Sequence, residues 1–327
     1  MTDRNRSSSN SVVTDFPLSR KTDQIVVAFK ERNAADVADI YNKAGDDYAT
    51  YADGDPAQLF AFDGMHAYAD RQLWHRLEAK LVDLRSSGAR AIRILDAGCG
   101  PGTWLRRLVL RAYGLGFSRI EARGFDIAHV QIERARFLAQ PLLALPGITL
   151  TFDVADLTGR LPEADASVDM TLCLYSVLSH LPVLALPKIA AELGRVTAGH
   201  FVTTVRPVGS PPTAFVDSIE KVRRLRQDHT RNRCEIELHG GRRITFGFHL
   251  FTAAELRDYF SPHLDIENVS GLDLFHTRFM PDPRWNLPND SCHLSDELAQ
   301  LEIANAANPE LINSAAHLLL IGRRRKT

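Results

Sequence analysis

Three aspartates and three glycines mark the part of this sequence whose residue types and spacing suit chemistry. Gly98, Gly100 and Gly102 fall in "ILDAGCGPGTW" (94–104), directly after an apolar run, and Asp96 stands two residues before the first of them. Glycine in ordered structure carries an entropic cost, so this density implies positive φ angles or the close approach of another group. Asp126 closes "RGFD", and Asp156 lies in "FDVADL", with Asp153 three residues earlier as the alternative. Each follows a strand-like run, and ligands of open α/β sheets bind beyond the carboxyl ends of strands. Two phosphate-binding patterns fail on spacing. A P-loop needs Gly-Lys-Ser/Thr, which does not follow Gly102, and a dinucleotide fingerprint needs glycine where this chain has Thr103.

The elements that must position these residues are visible as alternating periodicities. "AIRILDA" (91–97), "RIEARGFD" (119–126), "ITLTFD" (148–153), "SVDMTLCLYS" (167–176) and "GHFVTTVRP" (199–207) are five strand-like runs. Helical patterns fall between them: "TWLRRLVLRAYG", with Trp104, Leu105, Leu108, Val109 and Ala112 inward, then "AHVQIERARFLAQ" and "LPKIAAELGRV". That alternation predicts βαβ units and a mainly parallel sheet covered on both faces. Ahead of it, residues 23–88 are helical in pattern. Leu73, Trp74, Leu77, Leu81 and Leu84 share one face, and Gly88 suits the stop.

Residues 1–22 are polar, Ser-rich and aperiodic, the pattern of a disordered leader. Beyond 207 the character changes. "RCEIELHGGRRITFGFHLF" predicts a hairpin turning at Gly240-Gly241, and "TAAELRDYF" a helix capped by Thr252 with Glu255 three residues on. "HLDIENVSG" and "AAHLLLIGRR" predict two last strands around an insertion at about 274–312. The expected division is a leader at 1–22 and a single domain at 23–327. Within it come a helical lid (23–88), a core (89–207), a cap (208–250) and a C-terminal part (251–327).

Composition narrows the partners. The 327 residues carry a net charge of −1, which argues against a dominant nucleic-acid footprint. The basic run "KVRRLRQDHTRNR" (221–233) is expected to be a solvated helix face, with a binding patch for an anionic acceptor as the alternative. Cys99, Cys173, Cys234 and Cys292 form no C-x-x-C pair, so neither a zinc site nor a disulfide framework is expected, and reduced thiols fit a cytoplasmic setting. "MTDRNRSSSNSVVTDF" lacks the apolar core of a signal peptide, and "VDMTLCLYSVLSHLPVLALP" is interrupted by Asp169, His180 and Pro182, so no membrane span is expected.

"ILDAGCGPG" resembles the first motif of class I S-adenosylmethionine-dependent methyltransferases: apolar-x-Asp/Glu-x-Gly-x-Gly-x-Gly. Three later stretches match in order, "GFDIA", "FDVADL" and "SVDMTLCLYSVLSHL", and the resemblance covers residues 91–207. It implies a Rossmann-like, seven-stranded, mostly parallel sheet with an antiparallel last strand, carrying a helical N-terminal lid and a cap insertion. The implied cofactor is S-adenosylmethionine, held by Asp96, Gly98, Gly100, Asp126, Ile127, Asp156 and Leu157. In that resemblance Asp126 meets the ribose hydroxyls, Asp156 the adenine amino group, and Asp169 is structural. Gly98 and Gly100 would then let the backbone approach the cofactor, and a carboxylate such as Asp126 can accept two bonds from a diol. A donor without phosphate also accounts for the missing P-loop lysine.

Tyr41, Tyr48 and Tyr51 resemble the tyrosines that overlie the cofactor in small-molecule members, where aromatic faces suit a sulfonium. Packing onto the core is the alternative. Tyr175 and His180 are the catalytic candidates at the end of the fourth strand, beside Ser176, with His249 as a second base. His180 has a structural alternative in the turn before Pro182. Cys99 and Trp104 are expected to be packing residues. The fourth strand ends in "LYSV" rather than Asn/Asp-Pro-Pro-aromatic, and no Pro-Cys pair is present. With a lid, a cap and an insertion available to enclose it, a small-molecule acceptor is expected, with methylation of RNA or protein, or cofactor binding without transfer, as alternatives.

Overall fold

The computed structural model describes residues 34–43, 59–62, 66–210, 222–279 and 292–325. Helices α1 (34–43) and α2 (Ala67–Ser86) precede the sheet. The alternation follows as β1 (Ala91–Ala97), α3 (Thr103–Gly114), β2 (Arg119–Asp126), α4 (His129–Leu143), β3 (Ile148–Val154), β4 (Val168–Cys173), α5 (Leu186–Val196) and β5 (Thr197–Val205). The bounds of β1, β2 and α5 are those expected. β4 stops at Cys173 rather than Ser176, because Tyr175 and Ser176 take left-handed backbone, φ 51° and 69°, which cannot continue a strand.

The strand order is β3-β2-β1-β4-β5-β10-β9, with β9 spanning Leu264–Leu272 and β10 His317–Arg324. The first five strands pair in parallel, and β10 runs antiparallel to both β5 and β9. The last strand is therefore the antiparallel one, as expected. The order reverses between β1 and β4, which opens a crevice at the carboxyl ends of these strands. Asp169 Oδ2 accepts the Arg93 amide at 2.7 Å, tying the start of β4 to β1.

Both faces are covered. Leu73, Leu77 and Leu81 of α2 are completely buried with Leu105 and Leu108 of α3 and Ile132 of α4. Each buried leucine contributes about 1.5–3 kcal/mol of apolar transfer. On the opposite face Ile189 and Leu193 of α5 meet Leu256 and Phe260 of α6 (Ala253–Phe260). α6 opens with the expected capping box: Thr252 accepts the Glu255 amide, and the Glu255 side chain returns to the Thr252 amide. Gly88 ends the α2 segment at φ +96°.

A second sheet has the antiparallel order β6-β7-β8, with β6 at Val222–Asp228, β7 at Arg233–Leu238 and β8 at Arg243–Gly247. The turn at Gly240-Gly241 is as expected, but the basic run before it is a strand, not a helix face. Arg224 and Arg226 are exposed and lie opposite Glu237 and Glu235 in register, past an irregularity between Val222 and Arg224, and Arg223 forms the ion pair with Glu237. The inner face, with Ile236, Ile244, Phe246 and Phe248, packs on Val37 and Ile40 of α1. Within the 274–312 insertion lie α7 (His276–Phe279) and α8 (Cys292–Asn305). Glu302 of α8 is buried and accepts the amides of Leu274, Phe275 and His276, so the insertion is anchored to the end of β9. Among the described residues no helix is long and apolar enough to cross a membrane.

Candidate active site

The loop from β1 to α3 is tied to the end of β2. The amides of Gly98 and Cys99 both donate to the Phe125 carbonyl, at 2.8 and 2.9 Å. The Gly100 amide donates to Asp126 Oδ2 at 2.9 Å, and the Ala128 amide to Oδ1 at 2.9 Å. One carboxylate therefore fixes the glycine loop and the start of α4 together. Burial raises the Asp126 pKa, and the amides of Ala128, Gly100 and Ile127 oppose that rise.

Gly98 has φ +78°, and a side chain there would place Cβ 2.4 Å from Val177 Cγ2. The expected positive φ is present, and beyond any approach of a ligand the fold itself requires this glycine for contact with the turn after β4. Gly102, at φ +76°, is held against the Phe152 ring of β3 in the same way. Asp96 is only 2% exposed, and burial, with Asp126 next to it, pushes its pKa up to about 7. Burial raises the Cys99 thiol well above its ordinary value, which suits a packing residue and not a nucleophile.

Beyond β3 the two competing aspartates separate. Asp153 is drawn into an ion pair with Arg123 at 2.8 Å. Asp156 is exposed on the following loop, where its Oδ1 accepts the Thr158 amide at 2.8 Å, and Leu157 is buried beneath it. Ile127 packs with Tyr41 and the inner face of the second sheet. α1 is docked at the start of α4 by the Asn42 side chain, which accepts the Val130 amide, and by the Gln131 side chain, which donates to the Tyr41 carbonyl. Helix α1 is thus packed beside the end of β2. Tyr48 and Tyr51 lie outside the described residues.

The two catalytic candidates have different surroundings. His180 ends a short turn, Val177–His180, and its Nε2 shares a 2.9 Å hydrogen bond with the Tyr41 hydroxyl. Its ring sits among Phe246 and Phe248, and burial lowers its pKa to about 4, so it stays neutral near pH 7. His249 is held at both ring nitrogens, by Asn232 and Glu255 at 2.8 Å each. Tyr175 stacks on Trp104, hydrogen-bonds to Asp70 of α2, and has its amide bound by Thr204 Oγ1 at 2.6 Å.

Around Tyr175 the fold assembles residues that the sequence does not single out. His66 just before α2, Asp70, Arg206 after β5, Asp273 after β9 and His317 at the start of β10 converge on the same edge of the sheet. His66, Arg206, Asp273 and His317 are each under 5% exposed. One local signal existed: His317 opens an otherwise continuous apolar strand, "HLLLIG". Asp70 has its pKa raised chiefly by burial, against the hydrogen bond from Tyr175 and the charges of Arg107 and Arg71.

A glycine loop, an acidic residue ending β2 and a switch point beside β1 set the terms for comparison with known families. The profile of a family described as "Methyltransferase domain" matches residues 94–199, from within β1 to within β5. Over these residues the chain is similar to methyltransferase domains. Its strand order is that of a Rossmann-like α/β sheet. Among solved structures, magnesium protoporphyrin IX methyltransferase from Synechocystis PCC 6803 with bound S-adenosylmethionine is similar over 90% of this chain and 97% of that one, at 16% identity and a TM-score of 0.52. The same enzyme with S-adenosylhomocysteine gives 17% identity, coverage of 90% and 100%, and a TM-score of 0.50. At these identities the likeness is one of fold. No curated protein sequence matches the chain.

The matched stretch contains the residues first singled out. Asp96, buried, and Asp126, half-buried, put two carboxylates beside the glycine loop, an acceptor set that fits a ligand carrying hydroxyls and positive charge. A phosphate-bearing nucleotide would be repelled by the same pair.

Proposed function

We propose that the protein transfers the methyl group of S-adenosylmethionine to a small-molecule acceptor enclosed between the sheet, the lid helices and the second sheet. The observation that carries this reading is the Asp126 carboxylate, which binds the Gly100 amide at the end of β2 and retains acceptor capacity for a ribose diol. When bound, S-adenosylmethionine supplies a methyl group that is already electrophilic, so the chain's task is alignment. Asp96, Gly98, Gly100, Asp126 and Ile127 form the cofactor side, and Asp156 with Leu157 the adenine side.

Tyr41 closes the site through its bond to His180, which makes this histidine a clamp for the lid in preference to a base. Tyr175, set by Asp70 and Thr204, is the residue that orients the acceptor. Helices α1 and α2 act as lid and strands β6 to β8 as cap, and α8 closes the far edge. The ladder of alternating charge on β6 and β7 offers no continuous basic groove, which favours a small acceptor over RNA. The free cysteines Cys99, Cys173 and Cys234 are buried, in keeping with a reducing, cytoplasmic setting.

The acceptor is identified by incubating the protein and isotopically labelled methyl donor with a metabolite extract. Label is expected in a low-molecular-weight product that requires the protein. Label found only in RNA or protein would contradict the small-molecule reading, and no transfer to any fraction would leave a binding protein.

A further inference from the structure

We propose that Tyr175, backed by Asp70, takes the proton from the acceptor, and that the acceptor is accordingly a weakly acidic hydroxyl, a phenol or an enol. This rests on the methyltransferase reading above and adds the chemical class of its substrate.

The placement follows from the end of β4. Tyr175 and Ser176 both take left-handed backbone, at φ 51° and 69°, a conformation that persists in such residues only where the surroundings impose it. Here the Tyr175 amide donates to Thr204 Oγ1 and the Ser176 amide to the Thr204 carbonyl, so the turn is bound to β5. Val177, next along the turn, sits against Gly98 of the cofactor loop. The Tyr175 ring stacks on Trp104, the second residue after that loop's last glycine, with centroids 5.7 Å apart. Its hydroxyl donates to Oδ1 of Asp70 in the first turn of α2. Both side chains are half-buried, so the pair stands between the cofactor loop and the lid.

The surroundings single out this pair. Arg107 of α3 lies between the rings of Phe62 and Trp104, at 4.5 and 4.6 Å, and its charge and that of Arg71 act on Asp70. On its other side Tyr175 meets His317 edge-on at 5.2 Å, where Arg206 and His66 oppose a charge on that imidazole. The Asp273 carboxylate bears on Tyr68 and His276. His180 shares its Nε2 with Tyr41, and His249 is held at both ring nitrogens.

A phenolic oxygen that donates its own proton keeps lone pairs for another. The acceptor hydroxyl passes its proton to Tyr175 Oη as the Tyr175 proton moves to Asp70. The acceptor oxygen bonds to the methyl carbon, and the carbon–sulfur bond breaks with its electron pair left on sulfur. A sulfonium and a carboxylate are thereby replaced by a thioether and a carboxylic acid, both neutral, a change favoured where water is excluded. Phenols and enols suit this relay because their acidity is close to that of tyrosine, about 10, whereas amines need no base and carboxylates have already lost the proton.

Two measurements test it on the full chain. Saturated with S-adenosylhomocysteine and titrated calorimetrically, the wild type is expected to bind phenol roughly tenfold tighter than anisole, since only phenol can donate to Tyr175. Tyr175→Phe is expected to abolish that preference with S-adenosylhomocysteine affinity unchanged. With labelled methyl donor and a metabolite extract, Tyr175→Phe and Asp70→Asn are each expected to transfer at least about a hundredfold more slowly than wild type at pH 7. That deficit should narrow by roughly tenfold for each pH unit above 7, because the ionised fraction of a hydroxyl rises by the same factor. A misplaced side chain alone would give a deficit that pH leaves unchanged. Equal binding of the two probes, preference for anisole, no binding of either, a pH-independent deficit, or label on nitrogen or sulfur would each overturn the proposal. Absence of S-adenosylhomocysteine binding would instead strike the methyltransferase reading on which it rests.

Discussion

Asp126→Ala is expected to weaken S-adenosylhomocysteine binding by roughly a hundredfold or more while the protein remains folded. Two interactions disappear together. The amides of Gly100 and Ala128 lose their carboxylate partner, at 2.9 Å each, so the glycine loop is no longer held to the start of α4. The ribose hydroxyls lose their acceptor as well. Hydrogen bonds to charged groups contribute about 1.5–3 kcal/mol each, and two of them account for a hundredfold. Global stability should change far less, because the substitution also removes a carboxylate whose pKa is raised by burial. Asp126→Asn, which keeps one acceptor oxygen, should fall between. Affinity within about threefold of wild type in Asp126→Ala would remove the assignment.

Asp96→Asn should separate stability from binding, in opposite directions. Burial, with Asp126 beside it, pushes Asp96 up to about 7 in the folded chain, well above its ordinary value. A carboxyl with a raised folded pKa favours the folded state when protonated, and that advantage is lost progressively as pH rises from its ordinary value of 3.8 to about 7. At pH 8 to 9 the ionised, buried carboxylate costs on the order of 4 kcal/mol relative to a neutral group. The asparagine variant should therefore unfold several degrees higher than wild type at pH 8.5, by about half that margin at pH 5.5, and at nearly the same temperature near pH 4.

Cofactor binding should fall in the same variant, since a cationic ligand is what makes two adjacent carboxylates favourable. The wild type should take up S-adenosylmethionine near pH 6 with release of a proton, visible as a dependence of binding heat on buffer ionisation enthalpy. A thermal difference between variant and wild type that is the same at all three pH values would contradict the account of Asp96.

Much of this architecture is local and was legible in the chain. β1, β2 and α5 have their expected bounds because their apolar patterns and flanking glycines, caps and prolines agree with the tertiary packing. The Thr252–Glu255 capping box needs only four residues to declare itself. The basic run at 221–233 misled because arginines spaced by two and three satisfy a helix wheel as well as a strand. Only pairing with Glu235 and Glu237 of β7 decides it. Gly98 was assigned to the ligand, and nothing in its neighbourhood in sequence announces Val177, which arrives from beyond β4.

The cofactor residues were legible because they follow successive parallel strands, so chain order maps onto one edge of the sheet. The acceptor side was not. Tyr41 and His180 were each noticed, but their hydrogen bond joins positions 139 residues apart. His66, Asp70, Arg206, Asp273 and His317 become neighbours only because β10 inserts between β5 and β9, a topology that no local pattern encodes.

The central claim is that the loop at Gly98–Gly102 with Asp126 holds S-adenosylmethionine and not a phosphate-bearing nucleotide. Titration calorimetry of the wild-type protein with S-adenosylhomocysteine and, in parallel, with NAD tests it most directly. The account predicts saturable heat at one site per chain with S-adenosylhomocysteine and none with NAD. Heat with NAD alone, or silence with both, would contradict it.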